Sequence, residues 1–384
     1  MSAVVLITGA RAPVAQDLAR ACRSFGCDVH LADSVTPWAA RALRPRFPIH
    51  RLPPPRQEFP AFRKAMSDLI ARIGTDMIIP TCEEVFWLAE ASGRDGYSHQ
   101  LFAPPTDLLR RLHSKALFPE FAAKLGLDSP ETYVLDAAVE PEILRLPLTE
   151  LVFKPEFSRF ATHARIAPCP AEMKAIRPIP ARRWVAQRRI LGDEVCSWAA
   201  LHKGQVLAFA AYRPRWRLGR AAAFQMEAVD IPAVRAITDR IAQATGMTGH
   251  LSFDVIVDGD GRAWPIECNP RAVSGLHLLD ASPELGGSLI GRTTCSPPTP
   301  GAVRHLAPAM MLLGLPASLI QWRLSAFVAD WRTSKDVINR EGNPFVTLGC
   351  LADAARFAAQ ALCSGRSPSG ASTADIEWDG EPIP

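Results

Sequence analysis

The stretch from Phe253 to Arg271 constrains this chain more than any other. It reads Phe-Asp-Val-Ile-Val-Asp-Gly-Asp-Gly-Arg-Ala-Trp-Pro-Ile-Glu-Cys-Asn-Pro-Arg. Two runs of β-formers flank Asp258-Gly259-Asp260-Gly261, which is punctuation for a tight hairpin. Side chains alternate faces along a strand. Leu251, Phe253, Val255 and Val257 therefore share one face, and Ser252, Asp254 and Ile256 the other. Glu267 and Asn269 point the same way, and Cys268 points oppositely. Strand pairing can bring Asp254 onto the face of Glu267 and Asn269. Two carboxylates and an amide oxygen on one surface suit a hard cation such as Mg²⁺ or Mn²⁺, which shares its remaining positions with phosphates and water. Solvent-facing residues on a half-exposed sheet would give the same pattern.

The chain of 384 residues is long enough for two or three domains with a sizeable core. Its net charge is only +4 and its basic residues are scattered, so nothing calls for nucleic acid as a partner. The nine cysteines include no CxxC pair, which argues against a zinc module or disulfide framework and for a reducing cytoplasm. No signal peptide and no membrane span are expected, because the apolar run 306–320 is broken by Pro308, Gly314 and Pro316 and reads as a buried helix pair. Seven lysines stand beside thirty-six arginines. A lysine kept in such a chain is enriched for places that need a compact ammonium.

Strand and helix signals alternate up to about residue 100. Strands are predicted at Val4–Thr8, 29–32 and 77–80, and helices at 14–25, Phe59–Ile73 and 83–91. That is a βαβ pattern with a parallel sheet, interrupted by a proline-rich loop at 45–60. Thr8-Gly9-Ala10-Arg11 with Asp33 is a poor dinucleotide fingerprint, since Pro13 and Ala15 stand where further glycines would be needed. One helix is predicted from Thr106 or Asp107 through Leu125, with Lys115 inside it. Strands follow at 151–154, 184–189, 194–202 and 206–212, then a helix at 231–245 and the hairpin. A boundary is expected at 294–301, and a polar run lies at 364–372.

Glu-x-Asn-Pro-Arg at a strand end, after an Asp-bearing strand and an Asp-Gly turn, resembles the metal-binding core of the ATP-grasp superfamily. Its Asn-Pro-Arg form is most similar to the carbamoyl-phosphate-synthase-like and biotin-carboxylase-like branches. The resemblance covers roughly residues 1 to 290. It implies an α/β fold with a Rossmann-like N-terminal domain over 1–103 and an ATP-grasp domain over 104–300. The latter would hold a lid subdomain at about 126–190 and a central antiparallel sheet, with a C-terminal extension, 301–384, packing on the core.

The resemblance also implies the site. ATP and Mg²⁺ would be the cofactors, with Asp254, Glu267 and Asn269 as metal ligands. Lys115 and Lys154 would reach the phosphates, and Arg271 would face the transferred group. Gln187, Arg188, Arg189 and Ile190 would carry the adenine, and Glu194 would accept from the ribose hydroxyls. The chain departs from the family after Lys154, where glycines normally close over the phosphates. Ser158, Arg159 and Thr162 would stand in for them. The implied activity is an ADP-forming ligase that activates a carboxylate as an acyl-phosphate for attack by an amine or thiol. A carboxylase or carbamoyl-phosphate-type reaction, and a non-catalytic ATP-binding protein, stay open. Small-molecule substrates are the expected partners, and a homodimer is compatible with the sequence.

Overall fold

A computed structural model describes residues 2–137, 146–158, 163–217 and 223–384. Among these residues the strands form three sheets. The first holds β1 (Val4–Thr8), β2 (Asp28–Asp33), β3 (Ile49–Arg51) and β4 (Met77–Ile79), all parallel, in the order β3-β2-β1-β4. β1 is the short apolar run Val-Val-Leu-Ile-Thr and is buried over most of its length, as a strand covered on both faces must be. Two elements that local pattern does not announce lie here, β3 inside the proline-rich loop and the helix Trp38–Ala42 just before it.

The second sheet comprises β5 (Thr132–Leu135), β6 (Leu151–Pro155), β7 (Arg165–Ile166) and β8 (Trp184–Arg188), antiparallel in the order β5-β8-β6-β7. Phe153, Trp184, Leu135 and Leu151 give it its own small core. The third and largest has β9 (Asp193–His202), β10 (Gln205–Trp216), β11 (Gln225–Val229), β12 (Gly249–Val257), β13 (Ala263–Asn269), β14 (Val303–His305) and β15 (Lys335–Asp336). Its order is β13-β12-β9-β10-β11-β14-β15, antiparallel except for the last pair. The helix Pro232–Thr245 covers one face through Val234, Ile237 and Ile241, which meet Leu251, Phe253 and Val255. The C-terminal segment thus adds two strands to this sheet rather than only packing on it.

Two expectations need correction. The single helix predicted from Thr106 to Leu125 is two, Thr106–His113 and Leu117–Lys124. The Ser114 hydroxyl accepts from the amides of Ala116 and Leu117, which starts the second helix and leaves Lys115 at the break. The run 306–320 is not a buried pair: Met311, Leu312, Leu319 and Ile320 are exposed, around a π-turn at Met310–Gly314. The helix Pro344–Ser364 is long and apolar enough to cross a membrane by length and composition, although its inner face packs on the helix Trp38–Ala42.

Two polar clusters tie the segments together. Asp17, fully buried, takes His277 Nδ1 at 2.7 Å and Arg340 Nη2 at 2.8 Å. Asp280 in turn binds Arg304 and Arg340. The second cluster is a tail laid over the first sheet. Arg11 pairs with both Asp33 and Asp375, Arg56 pairs with Glu377 and Asp379, and Trp87 donates to the Ile376 carbonyl. Trp378 stacks on Phe86 and meets Phe157 edge-on. Asp33 is therefore occupied by Arg11.

Burial alone would raise the Asp17 carboxyl, but the hydrogen bond and charge of His277, with Arg340, outweigh it and hold the group well below the usual carboxylate range. The folded value lies below the unfolded one. The contribution is complete above the unfolded value of about 4 and is lost as pH falls below it toward the folded value. Asp17→Asn should cost about 3 kcal/mol at neutral pH. Chemical denaturation of this variant should also show a flatter loss of stability below about pH 4 than in the parent.

Candidate active site

The hairpin forms as its sequence requires. Asp254 stands directly opposite Glu267, and Ser252 opposite Asn269. The other face, with Leu251, Phe253, Val255 and Cys268, is core. The register shifts between Asp254 and Val255, so Ile266 bulges out of the ladder. Pro265 is tolerated because β13 is an edge strand. At the turn, Asp258 accepts from the amides of Asp260 and Arg262 and from the Trp264 indole, and Gly261 supplies the left-handed residue at φ +79°.

Both lysines arrive at this hairpin from other elements. Lys154, on β6, donates to the Ile266 carbonyl at 3.1 Å, an acceptor that the bulge turns outward. Lys115, at the helix break, lies 3.4 Å from Glu267 Oε1 and donates to the Ser158 carbonyl at 3.2 Å. Both ammonium groups are buried. Burial pushes Lys154 down to about 8, assisted by Lys115 and opposed by the charges of Glu267 and Asp254. Burial, together with the charge of Glu267, pushes Asp254 up to about 6.

These residues fit a hard divalent cation. Asn269 Oδ1 is buried with no hydrogen-bond partner. Beside it the charge of Glu267 raises the cost of ionising Asp254, which a cation would remove. Among the described residues no three His, Cys, Asp or Glu side chains cluster, so the donor set is two carboxylates and an amide oxygen.

Arg271 follows the strand and approaches Glu83 Oε1, a buried carboxylate at the carboxyl end of the parallel sheet, at 3.6 Å. Its charge also reaches Asp254. Glu194 is gripped by Arg217, whose Nη2 donates to Oε2 at 2.8 Å. The Arg-rich run 212–217 is therefore mostly β10, and its last arginine serves this pair. Cys196 and Tyr212 lie side by side across β9 and β10, next to Asp254 on the sheet. Burial holds the Cys196 thiol and the Tyr212 hydroxyl well above their ordinary values, so both stay protonated and the thiol is within hydrogen-bond reach of Asp254. Local pattern gave no sign of either.

The hinge is more constrained than expected. Gln187 is in mid-ladder, paired with both Thr132 and Val152, and its carboxamide donates to Thr132. The amides of Arg188 and Arg189 are already spent on the carbonyls of Glu131 and Glu150. Of these residues, Ile190 is the one whose amide is not spent in these backbone hydrogen bonds. Arg159 and Thr162 lie outside the described residues. The Ser158 hydroxyl lies 3.4 Å from the Pro155 carbonyl, and its carbonyl holds Lys115. Just before it, buried Glu156 is clamped by Arg183 at 2.8 and 2.9 Å and by the Ser114 hydroxyl. This clamp joins the second sheet to the helix break that aims Lys115, and it too was invisible in sequence.

Gly192 lies against the far end of β12. A Cβ there would sit 2.1 Å from the Val257 carbonyl oxygen, and the obstacle is backbone. Gly192→Ala should lower thermal stability, by about 2 kcal/mol or more on the scale of overpacked sites. A melting curve unchanged from the parent would refute this contact.

No family profile and no curated protein matches the chain. Solved structures do. An N5-carboxyaminoimidazole synthetase from Staphylococcus aureus is 13% identical, with a TM-score of 0.64 over 82% of this chain and 85% of that one. The biotin carboxylase domain dimer of a Hydrogenobacter thermophilus 2-oxoglutarate carboxylase was solved with MgADP, ADP and bicarbonate. It is 14% identical, with a TM-score of 0.60 over 79% of this chain and 74% of that one. An L-amino acid ligase from Bacillus licheniformis is 17% identical, with a TM-score of 0.52 over 70% and 67%. At these identities the likeness is one of fold.

Proposed function

With the ATP-grasp fold as its frame, we propose that this chain is an ADP-forming ligase that activates a small carboxylate as an acyl-phosphate for attack by an amine. One observation carries the reading. Lys115 from the helix break and Lys154 from β6 meet Asp254, Glu267 and Asn269 at one hairpin face, with the lysine contacts at 3.1 to 3.4 Å. Nothing about the stability of a sheet requires two buried ammonium groups beside two carboxylates. A polyphosphate with its metal does.

Each residue then has a task. Asp254, Glu267 and Asn269 would hold Mg²⁺, which supplies charge neutralisation at the phosphate oxygens. Lys154 and Lys115 bind phosphate oxygens by charge-assisted hydrogen bonds. With a value of about 8, Lys154 is mostly protonated at neutral pH. Arg271 offers its planar fork to the transferring group. The substrate carboxylate attacks the terminal phosphorus, the bond to the ADP oxygen breaks, and an acyl-phosphate forms. The amine then attacks the acyl carbon, phosphate leaves, and the amine proton passes to solvent. No protein nucleophile is needed, since positioning and electrostatics carry the transfer. The carboxyl end of the parallel sheet, beside Arg271, is the side from which the carboxylate substrate would approach, with Glu83 3.6 Å away orienting the arginine. Nine free cysteines suit a reducing cytoplasm.

ADP release measured against panels of carboxylates and amines should identify a pair that turns over, with no turnover on bicarbonate alone. Glu267→Ala should lower that turnover by about a thousandfold or more, roughly 4 kcal/mol of lost transition-state stabilisation. Its circular dichroism should match the parent. Turnover retained in a folded Glu267→Ala variant would sink the metal assignment.

A further inference from the structure

We propose that two copies of this chain associate through the helix Pro344–Ser364, packed antiparallel across a two-fold axis. The side chains that this helix leaves to solvent along its 21 residues include Phe345, Leu348, Ala352, Ala355, Ala359 and Leu362. Their spacing is three, four, three, four, three, which is the apolar seam of a two-helix packing. Phe345 is 63% exposed, Leu348 56% and Leu362 87%, so the seam is uncovered among the described residues. The opposite face, with Val346, Gly349, Asp353, Phe357 and Ala361, is buried, against the helix Trp38–Ala42 and its neighbours.

The stripe is complementary to itself. Turned about a point midway between Ala352 and Ala355, Phe345 falls opposite Leu362, Leu348 opposite Ala359, and Ala352 opposite Ala355. Large residues meet at the ends or face small ones, and alanines at the centre let the backbones approach. A two-fold contact between identical surfaces needs this property.

Charge and area favour a second copy over a lipid surface. A helix lying on a membrane carries Lys and Arg on its polar face. The charged residues of this helix are Asp353 and Arg356. Asp353 accepts from the amides of Trp38 and Ala39, and Arg356 donates to the Thr36 carbonyl. Both face the protein. From Phe345 to Leu362 the stripe is about 26 Å long. At a helix spacing of about 10 Å it covers roughly 260 Å² on each copy. A standard interface takes about 800 Å² per partner, so the seam alone supplies about a third.

The remaining area is close by. Among the described residues, eleven of the sixteen exposed large apolar side chains lie between Met311 and Leu362. Met311, Leu319, Ile320 and Trp322 belong to the segment whose first turn, Ala307–Ala309, packs on this same helix. An apolar surface concentrated in this way marks a contact site.

Sedimentation equilibrium of the full chain should give twice the 41.8 kDa mass of one copy. Ala355→Glu places like charges near the axis at an exposed helical position. It should weaken association about a hundredfold and leave the far-ultraviolet circular dichroism and ADP release per site unchanged. In a Cys363→Ser background, chains carrying Ala352→Cys should form disulfides with chains carrying Ala355→Cys when the two are mixed and oxidised. A monomer at about 100 μM wild-type protein overturns the proposal, as does a dimer that Ala355→Glu leaves intact. Cross-linking of Ala352→Cys to itself in preference to Ala355→Cys overturns the antiparallel arrangement. A monomer that binds phosphatidylcholine vesicles, and loses that binding in Ala355→Glu, assigns the stripe to lipid instead.

Discussion

Two carboxylates facing each other across a strand pair set the terms for the rest of the site. Asp254 and Glu267 are held in register by the hairpin, and burial with mutual repulsion drives Asp254 up to about 6. Such a pair persists in a fold only where positive charge is brought to it. The structure brings Lys154 along a strand of one sheet and Lys115 from a break between helices. Each lysine has its own support: the bulge carbonyl of Ile266 for the first, and the Ser114–Glu156–Arg183 clamp near the second. A departure in any of these propagates to the carboxylates. Two of the sheets and the helix break between them deliver four charged groups to one place.

How much of this was legible depends on the range of the interaction. The hairpin was readable because period two and an Asp-Gly turn are local signals, and Asp254, Glu267 and Asn269 share a face as alternation requires. The parallel sheet was readable for the same reason. The helix break at Lys115 was not. Leu109 and Leu112 stand about half a turn out of phase with Phe118 and Phe121, a slip that apolar content alone hides, and the stop comes from a serine hydroxyl turning back on the chain. The pairs Glu156–Arg183 and Glu194–Arg217 were not readable either. Among thirty-six arginines, no local pattern says which carboxylate each will meet.

Apolar content misled in one place. The run 306–320 and the helix Pro344–Ser364 have core composition, and core composition normally implies burial. The helix does bury one face, but alanines and leucines at a second spacing of three and four form another. The neighbouring helices Trp38–Ala42, Ala307–Ala309 and Pro368–Thr373 take up one stripe and leave the other. The sequence states that both exist, and only the packing tells which one the chain uses for itself.

The tail from Asp375 onward bonds to Arg11, Arg56 and Trp87 and sets Trp378 edge-on against Phe157, shortly after Lys154. Synthesis runs from the N-terminus, so these residues leave the ribosome after every element that they fasten. The parallel sheet and the hairpin must first assemble with Arg11 and Phe157 unsecured. The hairpin face is then latched in a late step, and a nascent chain forms it before Phe157 has its brace.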